Sequence, residues 1–109
     1  MDRLAVLLKY LEEDPEDPFT RFALALEYLK SGNEHEALTA FEGLVSDRPD
    51  YVGTYFHLGG LYRRLGRVDS AVDVYRKGIS VAEAQRDVHA KSELQSALLE
   101  AEGVGFDDD

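Results

Sequence analysis

Cysteine is absent from this chain of 109 residues, which excludes disulfides and thiolate metal sites and fits a reducing compartment. Long apolar runs are missing as well. The start holds only the short run Leu4 to Leu8, set between Arg3 and Lys9. That is too short for a bilayer, and no small-residue cleavage site follows it, so neither a membrane span nor a leader is expected. No serine stands in a nucleophile elbow, and no two of His35, His57 and His89 have the H-x-x-x-H spacing of a metal-binding helix. Gly59 and Gly60 lie inside a helical pattern, so they form no phosphate-binding loop. Catalytic residues, metals and cofactors are therefore expected to be none, and the chain reads as a soluble, cytoplasmic non-enzyme.

Basic residues are scarce. Twelve Lys and Arg face 22 Asp and Glu, for a formal charge of −10. Residues 1–50 carry 5 basic and 12 acidic groups, a balance of −7, and residues 51–109 carry 7 and 10, a balance of −3. Such a surface repels nucleic acid and anionic lipid at long range, so neither is expected as a partner. The surplus acid serves solubility and would also suit a salt-rich cytoplasm. One stretch runs against the trend, with Arg63, Arg64, Arg67, Arg76 and Lys77 close together around Asp69 and Asp73.

Proline is scarce too, and its placement is informative. Pro15 and Pro49 lie 34 residues apart, and the chain repeats in that register. Leu7, Phe41 and Tyr75 share one phase, and Leu11, Val45 and Ile79 another. Leu24 pairs with Leu58, Ala25 with Gly59, Tyr28 with Tyr62, Gly32 with Gly66 and Ala37 with Ala71. A fixed period of this length marks stacked two-helix units, none able to bury its apolar face alone.

Six helices follow from the apolar spacing and the turn signals. The first spans about 3–13, with Leu4, Leu7, Leu8 and Leu11 on one face. Asp17 and Pro18 start a second helix that Gly32 closes. Asn33 is placed as the cap of a third, with Glu36 in capping-box spacing. Pro49 ends that helix, and Asp50 is placed as the cap of a fourth, about 51–65. A fifth runs from Val68 past Glu83 with a long turn after it, and Asp87 caps a sixth over 88–102. Residues 104–109 read as a disordered acidic tail. Tyr28, Tyr62 and Tyr75 are expected in the core, with Tyr10 and Tyr55 flanking helix contacts. Gly59 is expected at a close helix contact, while Gly60 and Gly78 have no explanation in the repeat.

These residues resemble the tetratricopeptide repeat. Leu24, Ala25, Tyr28, Gly32, Ala37, Phe41 and Pro49 match its pattern once, and Tyr55, Leu58, Gly59, Tyr62, Gly66, Ala71 and Tyr75 match it again. The resemblance implies an all-α fold, a right-handed α-α superhelix of two repeats with an additional N-terminal helix and a C-terminal capping helix. It would occupy residues 1–103 as one domain, with repeats at about 18–49 and 52–84 and the cap at about 88–102. Three departures stand out. Arg21 occupies a usually apolar position, Gly78 stands where the family usually has Ala, and Glu83 stands where a proline would end the second repeat.

The resemblance also implies non-catalytic binding of a protein or peptide in a concave groove lined by the first helix of each repeat. Carried over by phase, the groove residues are Phe19, Phe22, Leu26 and Lys30 in one repeat and Phe56, His57, Gly60, Arg63 and Arg64 in the other. Some relatives hold the C-terminal carboxylates of heat-shock chaperones, but Phe22 and Leu26 occupy the positions that would need polar groups. The arginines would suit a carboxylate or an acidic peptide. The alternative function is self-association, a homo-oligomer burying the same apolar groove. A separate reading of the same residues is that the first or the sixth helix folds over the groove and buries them.

Overall fold

The computed structural model describes residues 2–103, and the expected tail at 104–109 lies outside them. Six helices are present: α1 Arg3–Glu13, α2 Pro18–Lys30, α3 Glu34–Asp47, α4 Gly53–Arg64, α5 Val68–Gln85 and α6 Val88–Ala101. No strand occurs among the described residues. The helices divide into two compact units, α1–α3 and α4–α6, separated between Tyr51 and Val52.

In the first unit, carboxylates start two of the helices. Asp2 accepts the Leu4 N–H at 3.2 Å, and Asp17 accepts the Thr20 N–H at 3.0 Å with Pro18 at the first helical position. These side chains satisfy amide groups that a helix start leaves without intrahelical partners. The Thr20 hydroxyl and N–H hold the Asp17 carboxyl below its ordinary value. Leu7 of α1 packs with Ala23 and Leu24 of α2, and Leu4, Leu11 and Tyr28 border them. Between α2 and α3, Ala25, Ala37, Phe41 and Leu44 are fully buried. Each large side chain removed from water this way contributes about 1.5–3 kcal/mol. The Arg21 side chain lies largely covered along this contact, and its guanidinium meets the exposed Asp47 of α3 at 2.9 Å. Tyr10 is about half exposed.

Two expected caps are not formed. Gly32 takes φ +82°, and the Asn33 N–H donates back to the Tyr28 carbonyl at 2.8 Å, which closes α2. The Asn33 N–H thus ends one helix while its carbonyl accepts the Ala37 N–H of the next at 3.0 Å, and its side chain makes no cap bond to that helix. Asp50 turns to Arg48 at 3.3 Å instead of capping α4, which begins two residues later than expected, after Val52.

In the second unit, Gly59 lies against the ring of buried Tyr75, with no room for a Cβ. Gly78 meets Tyr55, where a Cβ would stand 2.6 Å from the Tyr55 Cβ and 3.0 Å from Leu94. The glycine that the repeat left unexplained is therefore the point where α5 meets both α4 and α6. Leu58, Leu61, Ala71, Ala82 and Leu94 complete this core. Helix α5 runs to Gln85, past Glu83 as expected, but the turn after it is short. Arg86 takes the left-handed conformation, φ +58°, and Asp87 at once caps α6 by accepting the Ala90 N–H at 3.0 Å. Thr54 is fully buried, and its hydroxyl has no hydrogen-bond partner. Its repeat mate Thr20 uses Asp17, whereas Tyr51 stands in the matching position here.

Candidate partner-binding clefts

The expected groove residues of the first unit lie along one open cleft of about 320 Å³ on α2. Phe19, Phe22, Leu26 and Lys30 all line it, together with Arg3 and Glu27, which pair across α1 and α2 at 3.4 Å. Phe19 is 67% exposed, a large fraction for so apolar a side chain. Phe22 is different. Its ring is half-buried and packs against Phe41, 6.3 Å between centroids, and Tyr51, 5.4 Å. Phe22 therefore contributes a wall to the cleft and a contact to the core, and Leu26 is also half-buried.

In the second unit, Phe56, Gly60 and Arg63 of α4 face a cleft of about 480 Å³. His57 sits beside Phe56, its ring perpendicular at 5.5 Å, but does not line the cleft. Burial lowers the His57 pKa below its ordinary value of 6.5, with the Glu93 carboxylate opposing the shift. Arg64 is exposed at the end of α4, outside the lining.

A terminal helix over the groove was one expectation, and α6 stands against α4 as the opposite wall of this cleft without closing it. Helix α6 supplies His89, Ser92, Glu93, Ser96, Ala97 and Glu100, and Tyr75 of α5 forms part of the floor. The α6 residues recur at three- and four-residue intervals, so they form one helical face. That face is readable in the sequence, but its exact placement against α4 is not, because α6 follows a two-residue turn that falls outside the repeat register. Glu100 meets Arg63 at 3.5 Å, and Glu102 meets Arg76 at 2.8 Å. Two arginines of the basic stretch are thus paired with carboxylates of the chain itself. Burial raises the Tyr75 pKa, and nearby Arg63 opposes that shift.

Among the described residues, no three His, Asp or Glu side chains gather as a metal cage, and no helix is long and apolar enough to cross a membrane. The cleft on α2 is mainly apolar, whereas the one between α4 and α6 sets Phe56 and Ala97 among serines and charged groups.

Comparison with known proteins agrees with the helix pattern. The sequence pattern described as the tetratricopeptide repeat matches residues 22–87. A solution structure of a tetratricopeptide repeat domain protein from Salinibacter ruber is 55% identical, with 88% of this chain and 97% of that one covered and a TM-score of 0.80. Its crystal structure is 57% identical over 80% of this chain and 98% of that one, with a TM-score of 0.78. A TPR repeat-containing protein of Methanocaldococcus jannaschii is 31% identical over 83 residues, which is 76% of this chain but 26% of that protein. The chain thus spans about a quarter of that curated relative, and 3% of the cellulose synthase operon protein C of Pseudomonas fluorescens, which it also matches.

Proposed function

The chain belongs to the tetratricopeptide repeat family, and from that premise we propose that it is a non-catalytic module that binds a protein or peptide on the first helices of its repeats, α2 and α4. An all-α helical repeat fold supports a protein-interaction role in general. The finer assignment rests on Phe19. A phenylalanine two-thirds exposed on a cleft gives the fold little and offers a partner a ready apolar contact. Gly60 supports the same reading in the other unit. A glycine inside a helix costs about 1 kcal/mol relative to alanine. No packing contact requires this one, since a Cβ there would meet nothing within 4 Å. Its effect is to keep the cleft beside Phe56 open.

A random dodecapeptide library panned against the immobilised protein tests this reading. The control is the Phe19→Ala, Phe56→Ala double variant. Each replacement should weaken a selected peptide by about 1–2 kcal/mol, as expected of an aromatic contact at a binding centre. Circular dichroism should show unchanged helix. Phe22→Ala is unsuitable as the control, because its ring also packs on Phe41 and Tyr51. Sedimentation velocity decides the alternative. A wild-type dimer that the double variant dissociates would assign these residues to self-association instead.

A further inference from the structure

The cleft between α4 and α6 carries its own electrostatic signature. One guanidinium, Arg63, faces two carboxylates, Glu93 and Glu100. Arg63 is committed, since Glu100 approaches it at 3.5 Å and the Tyr75 hydroxyl lies beside it. Glu93 is the carboxylate left over. The side chain nearest it on α6 is His89, one turn back on the same helix, at 3.8 Å and 89% exposed. His57 is near enough to feel the Glu93 charge, while burial lowers its pKa. Around Glu93 stand a half-buried aromatic ring, Phe56, the hydroxyls of Ser92 and Ser96, and the side-chain-free Gly60.

We propose that this cleft receives a lysine or arginine side chain from the partner segment, with its charged end on Glu93 and its aliphatic stem along Phe56. The proposal rests on the partner-binding reading and names the chemistry of one contact within it. Long basic side chains lay their methylenes on apolar surface while keeping the charge at a polar edge, and an aromatic ring favours a cation nearby. The space above Gly60 admits the stem. A net charge of −10 draws basic segments in and repels acidic ones. An acidic partner would have to displace Glu100 from Arg63 and then lie next to Glu93. That reverses the expectation drawn from the arginines alone, which took no account of the carboxylates of α6.

The peptides selected by panning supply the test. The expected result is enrichment of lysine or arginine at one position next to an apolar residue. Glu93→Gln, with helix content unchanged, should weaken such a peptide about three- to fivefold, the value of an ion pair at a half-exposed site. Replacing the peptide's basic residue with norleucine should cost the same factor. The two changes together should cost no more than either alone. Enrichment of aspartate or glutamate, or additive losses in this cycle, would overturn the proposal and leave the binding module intact. If no sequence is enriched over the Phe19→Ala, Phe56→Ala variant, the partner-binding reading fails and takes this proposal with it.

Discussion

Gly59 and Gly60 are neighbours on α4 with opposite surroundings, and single substitutions should separate them. A Cβ at Gly59 would enter the Tyr75 ring, which is buried and cannot swing away. Gly59→Leu should cost about 1–3 kcal/mol or more through overpacking. A Cβ at Gly60 meets open space. Gly60→Ala should gain up to about 1 kcal/mol from helix propensity. Thermal melts of the two variants check the pair, and shifts of equal size and sign would contradict the assigned contacts. The role of Gly59 was legible in its phase with Ala25. The role of Gly78 was not, because its contacts with Tyr55 and Leu94 join helices that no local pattern relates.

Among the helices, the same kinds of residue precede several starts, yet the caps differ. Asp87 accepts an amide of α6, whereas Asn33 makes no side-chain bond to α3. Asp87→Ala should therefore destabilise by about 1 kcal/mol, and Asn33→Ala by only a few tenths. Urea titrations should reveal the difference, and equal losses would mean that Asn33 caps α3 in solution. The order and approximate span of all six helices were readable from the apolar period and from Pro18, Gly32 and Gly66. Their exact starts were less so. A cap residue such as Asp50 can choose between an amide ahead and a guanidinium behind, and Arg48 won. The short turn at Arg86 was also hidden, since an arginine in the left-handed conformation carries no sequence signature. The α4 side of the cleft was therefore legible residue by residue, whereas the α6 side was legible only as a terminal helix near the groove.

Over the whole molecule, charge is the dominant global property. The ion pairs seen are mostly at the surface, such as Arg48 with Asp50 and Lys91 with Glu83, and pairs of this kind contribute about 0–1 kcal/mol each. Against them stands the −10 balance, concentrated where Glu12, Glu13, Asp14 and Glu16 crowd the turn after α1. Repulsion among these groups should exceed the attraction of the pairs. The melting temperature should then rise as sodium chloride is raised from about 0.05 M to about 1 M, where screening shortens to about 3 Å. A flat or falling trend would show that the ion pairs prevail. The contact at Gly78 has a different reach. Tyr55 on α4 and Leu94 on α6 both press on a residue with no side chain, and α4 and α6 are the two walls of the larger cleft. The spacing of those walls is gauged from behind, by a hydrogen atom on α5. A methyl group at position 78 would act as a shim, resizing the mouth of the cleft without altering any residue that lines it.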